Sequence, residues 1–241
     1  MGKSIPDFPY IKGWVRTSLI DYPGLIATVL YTACCNLRCP FCHNPELLFG
    51  GEDVDSIDLI EILNFSNLRK GMVEGIVVSG GEPLLHASII DLLKLLRAQA
   101  LKIKLDTNGC FPDRLQEVLH LGLVDMVAMD IKASKNAYDK ATGIRHLLPD
   151  KVVQSLQILK SSNIPFELRT TIIPDFHTKE MMRDIAEWIA PVDSYVLQQF
   201  QPEDTFAPDY RKLKPLSEGE LISMKQIAEQ YIQNVSIRGL H

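Results

Sequence analysis

Apolar, β-branched runs alternate with helix-period segments along most of this chain, and that alternation constrains its fold more than any other feature. Residues 26–32 (IATVLYT), 74–79 (EGIVVS), 102–106 (KIKLD), 124–131 (VDMVAMDI), 165–171 (PFELRTT) and 194–200 (SYVLQQF) read as six strands. Residues 55–68, 112–120 and 178–189 carry helical patterns. Ile89, Leu92, Leu93 and Leu96 fall on one helical face, as do Val152, Leu156 and Leu159. Ser217 and Glu220 form a capping-box signal for a last helix reaching Tyr231. Six β–α units in strict alternation imply an α/β fold with a parallel sheet and helices outside it. Doubly wound sheets and barrels share that pattern, so periodicity leaves both open. Ahead of the first unit, residues 11–24 read as a short strand and an Asp21-Tyr22-Pro23-Gly24 turn. Residues 174–177 and 201–215 read as loops. No repeat or composition break divides the 241 residues, so one domain is expected, with residues 1–24 as an N-terminal extension.

The charge balance is 25 basic against 30 acidic residues, or −5, which argues against a nucleic-acid binder working through a basic field. With 46% hydrophobic residues the chain is not a disordered one. No apolar run approaches the roughly 18 residues of a membrane span. Residues 1–10 lack the apolar run of a signal peptide, so a soluble, cytoplasmic protein with no membrane partner is expected.

Chemistry is concentrated just after the predicted strands. Cys34, Cys35, Cys39 and Cys42 follow the first, and Ser79-Gly80-Gly81-Glu82-Pro83 the second. Asp106-Thr107-Asn108-Gly109 closes the third, and Asp130 and Lys132 close the fourth. Arg169, Thr170 and Thr171 lie near the end of the fifth, and Gln198, Gln199 and Gln201 near that of the sixth. Parallel α/β sheets bind ligands outside the C-terminal ends of their strands. Cys35, Cys39 and Cys42 form C-x3-C-x2-C, a thiolate set that selects zinc or an iron–sulfur cluster. Structural zinc wants a fourth ligand. A [4Fe–4S] cluster held by three cysteines keeps one iron open for a substrate. Cys110 is a weaker candidate for a fourth ligand, and Cys34 is awkward beside Cys35.

The C-x3-C-x2-C motif with Phe41 before its last cysteine, together with Gly80-Gly81-Glu82 after the second strand, resembles the radical S-adenosylmethionine (SAM) superfamily. That resemblance implies a partial (βα)6 TIM-like barrel spanning residues 1–241. Thr17-Ser18-Leu19-Ile20-Asp21-Tyr22-Pro23-Gly24 and Cys42-His43-Asn44-Pro45-Glu46 are similar to segments of glycyl-radical-enzyme activases. So are Asp106-Thr107-Asn108-Gly109 and Asp130-Ile131-Lys132. Ile11-Lys12-Gly13-Trp14 and Arg169-Thr170-Thr171 narrow the likeness to activases of anaerobic ribonucleoside-triphosphate reductase. One departure is visible: Cys34 stands where those proteins usually carry glycine.

The resemblance implies that the open iron chelates the amino and carboxylate groups of SAM. Backbone of Gly81 and Glu82 would meet the amino group, with Gly80 beside them. Phe41 and His43 would border the adenine, and Asp130, Ile131 and Lys132 the rest of SAM. Asp106, Thr107, Asp130 and the carbonyl of Ala128 would hold a monovalent cation. A one-electron donor such as flavodoxin or ferredoxin would supply the electron that cleaves SAM, and a partner's glycine Cα would lose a hydrogen. Asp21 and the 201–215 loop are candidates for docking that partner.

Blander readings stand beside these. Asp106 and Asp130 are also candidate helix N-caps, and Gly80-Gly81 alone reads as an ordinary turn. Lys132 and Arg169 read equally as solvated charges, and His177 shows no ligand spacing. An activase of pyruvate formate-lyase type, a radical SAM enzyme acting on a small molecule or peptide, and a non-catalytic metal-binding module are the alternative functions.

Overall fold

The computed structural model describes residues 8, 10–50, 54–147 and 149–240. Most of the segment read against a signal peptide, and His241, lie outside them. The strands are β1 (Ile11–Ser18), β2 (Ala27–Thr32), β3 (Gly75–Gly80), β4 (Lys102–Thr107), β5 (Met126–Asp130), β6 (Phe166–Ile172), β7 (Tyr195–Gln199) and β8 (Val235–Arg238). The helices are α1 (Leu59–Leu68), α2 (Ile89–Arg97), α3 (Pro112–His120), α4 (Tyr138–Thr142), α5 (Asp150–Lys160), α6 (Lys179–Ile189) and α7 (Glu218–Ala228). Strand order in the sheet follows chain order from β1 to β8.

All six strands read from the sequence are present. The sheet is mixed, because β1 pairs antiparallel with β2. A short turn joins those two, whereas a parallel pair needs a crossover of a dozen residues or more. β8 was not foreseen. It has four residues, runs parallel to β7, and is tied to β6 by a bidentate Arg238–Glu167 pair at 2.8 and 2.6 Å. α1 starts at Leu59 rather than residue 55. The Ile57 N–H is already bonded to the Ile11 carbonyl at 2.8 Å, and Asp58 caps the helix through the Ile60 N–H. α4 also escaped the sequence reading; it is five residues long and ends at Gly143 with φ 68°.

The described residues form two compact units. One comprises residues up to Asn36, Glu46–Thr107 and Asp113–Val127; the other comprises Leu37–Pro45, Asn108–Pro112 and Ala128 onward. In the first, β2 and β3 are parallel and in register from Ala27–Gly75 to Thr32–Gly80. Their continuous apolar runs are those of strands covered on both faces. Ile89, Leu92, Leu93 and Leu96 of α2 are fully buried, as their spacing predicts. A second apolar cluster joins Tyr22, Ala27, Val29 and Val77. In the second unit, β6, β7 and β8 are parallel. The capping box of α7 forms as read, with Ser217 and Glu220 bonded reciprocally.

Candidate functional site

In the first unit the chain leaves β2 through Ala33 and turns at Cys34, whose φ is 64°. That left-handed conformation costs a side-chain-bearing residue about 1–2 kcal/mol and suits glycine. It is the physical reason a glycine is the easier occupant of this position. The turn is fixed by the Cys34 N–H on the Leu47 carbonyl (2.6 Å) and the Glu82 N–H on the Cys34 carbonyl (2.8 Å). Gly81 is obligatory beside it: a Cβ there would stand 2.1 Å from the Cys34 oxygen. Gly80 has φ 116°, and its Cβ would meet the Thr32 nitrogen at 2.2 Å. The Gly-Gly pair thus lets the end of β3 pack backbone to backbone against the turn before Cys35.

Glu82 is fully buried. Its Oε1 accepts from the Leu84 N–H at 3.1 Å and the Thr107 hydroxyl at 2.8 Å. Thr107 is therefore tied to the Gly-Gly-Glu segment. Asp106 is not a helix cap. Its Oδ1 accepts from Lys104 Nζ at 2.6 Å and its Oδ2 from the Ser79 hydroxyl at 3.2 Å. Asp21 is turned inward to the Ser18 hydroxyl, which itself accepts from the Ile20 and Asp21 N–H groups at 3.2 Å. The tip of that turn is apolar, with Leu19 and Ile20 73% and 80% exposed.

In the second unit the cysteine loop is held along its backbone. The Arg38 N–H bonds the Thr142 carbonyl at 2.8 Å, and the left-handed Gly143 lies so close that a Cβ would stand 2.2 Å from the Arg38 oxygen. The Phe206 N–H bonds the Cys42 carbonyl at 3.0 Å, and the Ala207 N–H bonds the Pro40 carbonyl at 2.9 Å. Residues 206–207 of the loop singled out for partner docking are thus part of the support for this segment. Phe41 is buried, 6.4 Å from the Tyr210 ring, with Lys132 Nζ 6.0 Å over its face. His43 lies 6.2 Å from Phe200, and burial lowers its pKa.

Asp130, at the end of β5, accepts from Lys132 Nζ at 2.8 Å and Arg169 Nε at 2.9 Å. Burial alone would raise its pKa, but the charges of Arg169 and Lys132 outweigh that and hold it well below the usual carboxylate range. Burial likewise opposes the Lys132 ammonium, and Asp130 more than restores it. Two cations thus converge on this one carboxylate.

The backbone of this segment is clamped. The Thr170 hydroxyl donates to the Ile131 carbonyl at 2.8 Å and accepts from the Tyr195 hydroxyl at 2.8 Å. His177 accepts the Ile173 N–H on Nδ1 at 2.8 Å, and its Nε2 lies 3.1 Å from the Lys132 carbonyl. That pairing makes the ring a neutral Nε2–H tautomer, and burial lowers its pKa to about 4.

His177, Tyr195 and Lys104 are the site-supporting residues that sequence reasoning passed over, whereas Thr170 was singled out at the end of its strand. For Lys104 a signal existed: a lysine between Ile103 and Leu105, two residues before an aspartate.

The donor set fits an iron–sulfur cluster. None of the five cysteines forms a disulfide; Cys39 is buried, and Cys35 and Cys42 are half-buried. Cys35 belongs to the first unit, Cys39 and Cys42 to the second. Among the described residues no three His, Cys, Asp or Glu side chains converge as a cage for one metal ion. A four-iron cluster does not need one, since each thiolate takes a different iron. Cys110 is buried, its N–H held by Asn108 Oδ1 at 3.0 Å. Among the described residues no helix is long and apolar enough to cross a membrane.

Comparison with known proteins gives the family. The Radical SAM superfamily model matches residues 29–189. A protein of Methanocaldococcus jannaschii named "Putative glycyl-radical enzyme activating enzyme" is 33% identical over 235 residues, covering 96% of each chain. The pyruvate formate-lyase-activating enzyme of Clostridium pasteurianum is 30% identical over 202 residues, covering 81% of this chain and 82% of that one. Among solved structures, SuiB of Streptococcus suis bound to its precursor peptide SuiA superposes with a TM-score of 0.67 at 15% identity over 88% of this chain. This chain spans about half (48%) of that longer protein. QueE from Escherichia coli gives a TM-score of 0.57 at 14% identity, covering 96% of this chain and 94% of that one. These likenesses show the α/β partial-barrel fold that the motifs implied. The chain belongs to the radical SAM superfamily and, within it, to the glycyl-radical enzyme activating enzymes.

Proposed function

We propose that this chain activates an anaerobic ribonucleoside-triphosphate reductase, with Cys35, Cys39 and Cys42 holding a [4Fe–4S] cluster and the adjoining strand ends holding SAM. When bound, the two groups supply reductive cleavage of SAM to methionine and a 5′-deoxyadenosyl radical, which takes the hydrogen of a glycine Cα in the partner.

The chain's own work is binding and orientation. The observation that carries the reading is the Asp130–Lys132–Arg169 centre, whose two cationic side chains sit on a clamped backbone and suit the carboxylate end of SAM. Gly81 offers a backbone without a side chain to the amino group. Phe41 and His43 offer aromatic edges for the adenine. Asp21 does its visible work inside its own turn, so the partner's glycine loop is met by the exposed Leu19 and Ile20 with Asp21 holding them in place. The electron comes from a small donor such as flavodoxin or ferredoxin, and the setting is cytoplasmic.

Support for the reductase comes from Ile11 to Trp14 and Arg169-Thr170-Thr171, whereas Thr17 to Gly24 supports an activase in general. A second reading, activation of a pyruvate formate-lyase, is favoured by the identity to activases so named.

The test is to mix the reconstituted, reduced protein and SAM separately with each of the two partners. A glycyl-radical signal by electron paramagnetic resonance on the reductase alone bears the reading out. A signal on the lyase alone replaces it with the second reading, and a signal on both shows that the residues named do not select the reductase.

A further inference from the structure

Lys104 is 1% exposed, and a lysine is almost never so buried without a partner. Its partner is Asp106, 2.6 Å from Nζ. The two lie two residues apart on β4, so their side chains leave the same face of the strand. Opposite Lys104 in the parallel register stands Val77, a member of the apolar cluster with Tyr22, Ala27 and Val29. The pair therefore sits against hydrocarbon. Asp106 Oδ2 also accepts from the Ser79 hydroxyl at 3.2 Å, a contact that adds no charge.

This arrangement bears on the cation expected at Asp106, Thr107, Ala128 and Asp130. A dissolved potassium ion would have to displace an ammonium group that is tethered two residues away. A tethered partner competes at a high effective concentration. The displaced ammonium would then be left buried without a countercharge, which costs several kcal/mol in general. Asp130, within its own unit, already faces two cations. The residues present do not fit a bound monovalent cation.

We propose that Lys104 is the built-in countercharge of Asp106, so that this enzyme binds SAM and holds its fold without a monovalent metal ion. The positive charge that a dissolved ion would bring to the end of β4 is carried by the chain itself. The inference stands on the geometry of β4 and holds whichever partner is activated.

The test uses the whole, anaerobically reconstituted protein, stripped of sodium and potassium in a tetramethylammonium buffer. Potassium is titrated back at constant ionic strength while the SAM dissociation constant and the melting temperature are followed. Thallium-205 resonance reports any monovalent ion held at a site. Expected are a SAM affinity constant within about twofold, an unmoved melting temperature and no bound thallium. Lys104→Met should acquire what the natural protein lacks: a melting temperature that climbs with potassium, and a bound thallium signal. Should that variant fold only in potassium, the proposal is supported in the same way. Should it not fold at all, the natural protein still decides. A rise of about tenfold or more in its SAM affinity with potassium, or one thallium ion held per chain, overturns the proposal. The thermal and thallium readouts need no SAM, so a failure of the SAM reading leaves this one decided.

Discussion

Asp106 and Asp130 both sit at the C-terminal ends of buried strands, yet their surroundings differ in kind. Asp106 accepts from one ammonium, that of Lys104, and from the neutral Ser79 hydroxyl. Asp130 accepts from two cations, Lys132 and Arg169. The first pair lies within one strand and braces the end of β4. The second is backed by a polar clamp from β6, β7 and His177. Two aspartates that look equivalent in sequence thus differ in setting: one faces a lysine of its own strand, the other a lysine and an arginine.

The comparison breaks most easily at Lys104. Replacing it with Met leaves a buried carboxylate without its cation, and should cost about 3–5 kcal/mol in urea unfolding. A cost below about 1 kcal/mol would mean the pair is not the brace described here.

The next largest effect is pH. His177 titrates at about 4 when folded but near 6.5 when unfolded. Between those values the unfolded state binds the extra proton, so stability is complete above 6.5 and is lost as pH falls toward 4. The full loss is about 3 kcal/mol. Urea unfolding at pH 7 and pH 5 should differ by about 2 kcal/mol of that loss, and His177→Gln should flatten the slope.

Thr170→Val removes the hydroxyl between Tyr195 and the Ile131 carbonyl, and should cost about 2 kcal/mol while weakening SAM binding. The smallest stability change belongs to Lys132→Met. Asp130 keeps Arg169, so unfolding should shift by only about 1 kcal/mol, while SAM affinity drops by about tenfold for one lost charge-assisted bond. If Lys132→Met and Lys104→Met behaved alike in both assays, the distinction between the two centres would be lost.

Much of this was legible in the sequence. Strand and helix periods located β2 to β7: β2 and β3 are apolar runs covered on both faces, while β4 and β6 alternate apolar with polar residues. The cysteine spacing and the Gly-Gly-Glu segment marked the strand ends that matter. Backbone competition was not legible: α1 starts late because the Ile57 N–H is spent on β1. β8 is too short to carry a period, and its Arg238–Glu167 pair joins residues far apart in sequence. His177 showed no ligand spacing because it binds a backbone carbonyl, which leaves no pattern of side chains.

The central claim is radical SAM chemistry at the three-cysteine loop, and the direct measurement is 5′-deoxyadenosine formed by the reconstituted, reduced protein with SAM. The account predicts product from the natural protein and none above background from Cys35→Ala, Cys39→Ala or Cys42→Ala. No product from a protein that holds a complete four-iron cluster would contradict it.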